Sequence, residues 1–68
     1  MVMKQEESQL LYRKYIKSGM TGDQASEKLK GVKEFLKNKV NKWRKKKMSE
    51  KDINIRFKEE FSKIAERI

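Results

Sequence analysis

Met20-Thr21-Gly22-Asp23-Gln24-Ala25 constrains this chain more than any other six residues, because it spells out the start of a helix. A threonine hydroxyl accepts from an amide of the turn it opens, a glutamine three residues on accepts from the threonine N–H, and Met20 can pack over Ala25. Met48-Ser49-Glu50-Lys51-Asp52-Ile53 repeats the pattern, with Ser49 as the cap, Asp52 beside the free amides and Met48 against Ile53. No proline interrupts the sequence, and three glycines punctuate it. Lys, Glu and Leu-type helix formers dominate, and no window alternates apolar and polar residues as a strand does. These features predict an all-α fold, a small bundle of three to four helices.

The first helix is expected from residue 6 or 8 to residue 17, with Leu11, Tyr12, Tyr15 and Ile16 on one stripe. Ser18-Gly19 closes it, the glycine suiting the left-handed conformation past a helix end. A short second helix opens at Thr21 and ends near residue 30, with Gly31 as its stop. A third covers residues 32–46, and a fourth covers residues 50–68 with a stripe of Ile53, Phe57, Phe61, Ile64, Ala65 and Ile68. Ile55 falls off that stripe and points to contact with a different helix or a second chain. Residues 1–7, polar after Met-Val-Met, are expected as a flexible tail ahead of a single domain of residues 8–68.

With 68 residues and neither cysteine nor histidine, the chain has no disulfide, no Cys- or His-based zinc site and no histidine chemistry. Its neighbouring carboxylates, Glu6-Glu7 and Glu59-Glu60, diverge on a helix, and no glycine-rich phosphate loop is present. The expectation is a protein that is not an enzyme, with no catalytic residue, cofactor or metal. No apolar run approaches the roughly 20 residues that span a bilayer, and none reads as a signal peptide. A soluble cytoplasmic protein is therefore expected.

The net charge is +9, and residues 30–47 hold nine basic side chains against one acid, Glu34. Nearly all of the excess is thus confined to one predicted element, which points to a polyanionic partner more than the total does. Within KNKVNKWRKKK, residues 37–47, there are seven cations, two asparagines and no acid. At about 100° per residue, Val32, Phe35, Leu36, Val40 and Trp43 form a core face. Lys33, Glu34, Lys37, Asn38, Asn41, Lys42, Arg44 and Lys45 lie opposite, and Lys46 and Lys47 follow as a loose positive end that clamps phosphates. Lysine and arginine contact phosphates or guanine edges, and an asparagine carboxamide matches adenine N6 and N7. Solvated surface normally mixes charges of both signs at i,i+4 spacing, and only Glu34 does so here.

Gly19-Met20-Thr21, then Ala25 and Leu29, then Val40-x-x-Trp43, resembles helix-turn-helix DNA-binding domains. In that family a short helix with a small alanine at the crossing precedes a recognition helix, although here Gly31 follows Ala25 by six residues rather than the family's four. The resemblance implies that Lys33, Lys37, Asn38, Asn41 and Arg44 approach base edges or flanking phosphates. Lys42, Lys45, Lys46 and Lys47, with the amides near Thr21, would hold the backbone. It implies a small regulator of transcription or recombination, of phage, plasmid or bacterial type, that binds duplex DNA and associates with the nucleoid. RNA stays open beside DNA. A different class is a non-catalytic interaction module whose basic face takes an acidic surface of a protein partner, and a homodimer through the last helix suits either class. A membrane-surface role is disfavoured because the apolar face of the basic helix is needed for the core.

Overall fold

A computed structural model describes residues 3–68 as three helices, α1 Gln5–Lys17, α2 Gly22–Lys45 and α3 Glu50–Glu66, with no strand among the described residues. The chain is the small all-α bundle expected. Two connections of four residues, 18–21 and 46–49, turn it back on itself, so α1 and α3 both pack against α2 and meet one another far less. The molecule measures 39 × 18 × 17 Å. At 1.5 Å per residue α2 alone is about 36 Å long and sets that axis. Among the described residues no helix is long and apolar enough to cross a membrane.

The second and third helices expected from the sequence are one helix, and Gly31 lies inside it. Only Gly19 among the glycines has a positive φ. The apolar stripe explains the continuity: Ala25, Leu29, Val32, Leu36, Val40 and Trp43 step by three or four residues and keep phase through Gly31. A break there would rotate one half of the stripe off the core. Burying Leu36, Val40 and Trp43 is worth roughly 1.5–3 kcal/mol for each large side chain. That outweighs the roughly 1 kcal/mol by which a helical glycine is disfavoured against alanine.

Both real turns are built alike. At the end of α1, Gly19 adopts φ 107°. Its N–H donates to the Ile16 carbonyl, and the Met20 N–H donates to the Tyr15 carbonyl, each at 3.1 Å. At the end of α2, Lys47 takes the same place with φ 62°. The Lys47 N–H donates to Arg44 at 3.0 Å and the Met48 N–H to Trp43 at 3.2 Å. This pairing satisfies the last carbonyls of each helix, and Met20 and Met48 fold back against the core. Lys46 and Lys47 are therefore ordered in a turn rather than frayed.

The starts follow the sequence grammar. The Thr21 Oγ1 accepts from the Gln24 N–H at 3.2 Å while the Thr21 N–H donates to Gln24 Oε1 at 3.1 Å. The Ser49 Oγ accepts from the Asp52 N–H at 3.2 Å. In α1 the Lys4 N–H donates to Glu7 Oε1 at 3.0 Å, so the helix begins at Gln5. Met3 is buried in the core, which brings residues 3–7 into the domain rather than a tail, while residues 1 and 2 lie outside the described residues.

Met3, Leu11, Tyr15, Ala25, Leu36, Val40, Trp43, Ile53 and Phe57 form the core, with Phe61, Ile64, Ala65 and Ile68 packed against it. Burial pushes the Tyr15 phenol pKa up, since the ionised form loses its hydration. Three residues placed on core stripes from the sequence lie at the surface instead: Tyr12, Ile16 and Phe35, the last of them 47% exposed. Each sits at the edge of its stripe, where a three-helix bundle has no further element to cover it. Ile55 is also exposed.

Candidate nucleic-acid interface

The second half of α2 is held from beneath by Leu36, Val40 and Trp43, and Trp43 acts as a core residue rather than as an exposed stacking platform. Its opposite side carries the candidate residues: Lys33, Lys37, Asn38, Asn41, Lys42, Arg44 and Lys45 are all exposed, as are Lys46 and Lys47 in the turn. Around the axis, Asn41, Glu34, Lys45 and Asn38 fall at the middle of the outward face within about 60°. Lys33, Lys37 and Arg44 flank them on one side and Lys42 on the other. Lys33 to Lys45 span about 18 Å of helix.

The charge along α2 is polarised. Residues 22–31 hold two acids and two cations, whereas residues 32–47 hold eight cations and Glu34 alone. Cations in the last turn also interact favourably with the helix dipole, by about 0.3–1 kcal/mol each at low salt. That local benefit reaches Lys42, Arg44 and Lys45, but it leaves Lys33 and Lys37, two turns further back, without a structural reason.

Two cations of the helix are paired. Lys39 Nζ lies 3.3 Å from Glu60 Oε1 on α3 and 5.0 Å from the centre of the Phe35 ring, so Lys39 belongs to the bundle seam and not to the outward face. Arg44 Nε reaches Glu50 Oε1 at 3.7 Å, with both side chains more than half exposed. A surface pair of that length is worth well under about 1 kcal/mol and yields readily to a phosphate. Among the described residues, Lys33, Lys37, Lys42, Lys45, Lys46 and Lys47 form no ion pair, and the Asn38 and Asn41 carboxamides form no hydrogen bond.

Folding brings further cations to this end. A cleft between the start of α1, the end of α2 and α3 is lined by Lys4, Arg44 and Lys58 with Asn54, over a floor of Val40, Ile53 and Phe57, and also holds Glu7 and Glu50. Lys4 and Lys58 were not legible as part of the basic region because each sits among acids in its own segment, and only packing sets them beside Arg44. The turn that the helix-turn-helix resemblance places before the recognition helix falls inside α2, so the basic half is continuous with the helix that precedes it. Among the described residues no group of three Asp, Glu, His or Cys converges as a metal site. No protein-family profile matches the chain, and neither a curated protein nor a solved structure matches it.

Proposed function

We propose that the protein is a small, non-catalytic, cytoplasmic DNA-binding protein that lays the outward face of residues 33–47 against duplex DNA. The observation that carries this reading is a row of six cations that form no ion pair among the described residues, with Glu34 the single acid beside them, on a helix fixed by its own core face. A solvated surface has no need of six unpaired cations in 15 residues, and their mutual repulsion disfavours the folded chain unless a polyanion neutralises it. The major groove, about 12 Å wide, admits one helix. Asn38 and Asn41 at the middle of the face then meet base edges, while Lys33, Lys37, Lys42 and Arg44 meet the phosphates on either side. Lys45, on the mid-line, extends the base-facing row. Lys46 and Lys47 take the backbone beyond the helix end. A role in transcription or recombination, of the phage or bacterial kind, belongs to the same proposal and rests on the residue pattern Gly19-Met20-Thr21, Ala25 and Val40-x-x-Trp43 alone, since α2 runs unbroken where that family turns.

The test is the salt dependence of binding to a random duplex. Six or seven phosphate contacts predict a slope of log K against log salt of about −5 to −7. No shift of duplex DNA at low salt, or a slope shallower than about −2, would overturn the reading. In that event, binding to an acidic protein with the same face is the outcome to measure next.

A further inference from the structure

The basic face occupies one side of α2, and a different surface lies about a quarter turn away. Between the end of α1, the first half of α2 and the last turn of α3 runs an open groove of about 570 Å³. Tyr15, Met20, Val32, Phe35, Ile64 and Ile68 give it apolar walls, and Phe35 stands 47% exposed at its edge.

Two features say what covers it. The first is Gly31, which lines the groove from α2. It is helical, and no atom stands within 4 Å of the place a Cβ would take. The isolated chain therefore gains nothing from a glycine that disfavours its helix. A bare stretch of helix surface is useful where another backbone comes close. The second is the rim, which carries Glu27, Lys28 and Arg67 and so mixes both signs on a chain whose excess charge lies elsewhere. A twofold contact sets a surface against itself, so it has to be self-complementary. An all-acidic partner would leave Glu27 opposed by like charge.

We propose that this groove is the interface of a twofold dimer, with Phe35 of each copy entering the groove of the other and the two α2 helices crossing antiparallel at Gly31. A twofold axis perpendicular to both helices keeps their basic faces on one side of the dimer. The basic segments are centred some ten residues beyond Gly31, so they stand about 30 Å apart at 1.5 Å per residue. One turn of B-DNA, about 34 Å, separates adjacent major-groove half-sites. The dimer itself stands without the nucleic-acid reading; the half-site spacing rests on it.

Sedimentation equilibrium from about 5 to 500 μM covers the range expected of a small interface. The wild-type mass rises from 8.2 kDa towards twice that value. Phe35→Glu and Gly31→Gln, both at exposed helical positions and checked for helicity, raise the dimer dissociation constant at least tenfold. A wild-type mass that stays at 8.2 kDa throughout, or variants that dimerise as well as the wild type, overturns the proposal. With DNA, a duplex of about two turns binds the wild type at least tenfold more tightly than a duplex of one turn, and Phe35→Glu removes that preference. A mass that doubles without any duplex shift upholds the dimer and removes the nucleic-acid reading alone.

Discussion

Replacing Gly31 with alanine probes the continuity of α2, on which the position of the basic face depends. The residue is helical, it is exposed, and the added methyl meets no atom within 4 Å. There is no clash to offset and little new burial, so the expected effect is the difference in helix propensity alone, about 0.8–1.0 kcal/mol in favour of the variant. For a domain of this size that is an upward shift in Tm of about 4–8 °C. Circular dichroism melts and urea titrations at low micromolar concentration, where the proposed dimer is dissociated, measure it, and the urea slope should stay unchanged. Gly19→Ala is the matched control. It too meets no atom within 4 Å, but at φ 107° the backbone disfavours any side chain, and the variant should lose about 1 kcal/mol or more. If Gly31→Ala destabilises as Gly19→Ala does, the chain turns at Gly31 and the continuous helix is wrong.

Lys47→Gly should stabilise the fold by about 0.5–1 kcal/mol, because Lys47 holds φ 62° where the matching turn uses glycine; a neutral or destabilising result in a urea titration refutes the strain. Lys37→Ala, Arg44→Ala and Lys45→Ala together should abolish duplex binding in a fluorescence anisotropy titration with helicity unchanged, and retained affinity moves the site elsewhere. The raised pKa of Tyr15 makes its contribution to stability fully present below the ordinary tyrosine value of about 10 and lost as pH rises through the higher folded value. Tyr15→Phe should therefore lose less stability than the wild type between about pH 9 and 11, and parallel losses would remove Tyr15 as the cause.

The real breaks and the false one differ in a way the sequence does display. Gly19 and Lys47 are each followed by Met and then a hydroxyl cap, whereas Val32-Lys33-Glu34 after Gly31 contains no capping residue. The apolar stripe also keeps phase across Gly31, so the glycine alone is a weaker signal than the cap and the period together. Trp43 and Val40 were legible as core, and the outward side of the basic segment as exposed, because one strong period decides both. Phe35 was not, since a wheel gives a direction but not the width of surface that neighbouring helices cover. The left-handed Lys47 was hidden for another reason: a lysine carries no conformational signature, and only its place in a repeated turn reveals it.

That turn also bears on why the protein tolerates its own charge. Lys45, Lys46 and Lys47 are consecutive cations at the end of a helix already crowded with them, and the last adopts a backbone that glycine would hold more comfortably. Strain and repulsion thus accumulate at the same end of the molecule. Neither helps the isolated fold, and a chain of 68 residues has little stability to spare, on the order of 3–10 kcal/mol. A ligand that binds only the folded form returns stability through mass action, about 2.7 kcal/mol at a hundredfold excess over its Kd. Saturating duplex DNA should therefore raise Tm by roughly 10 °C or more at low salt. The gain should shrink as salt rises, while a neutral polymer leaves Tm unmoved. A Tm that ignores DNA would leave the cations unexplained by the partner proposed for them.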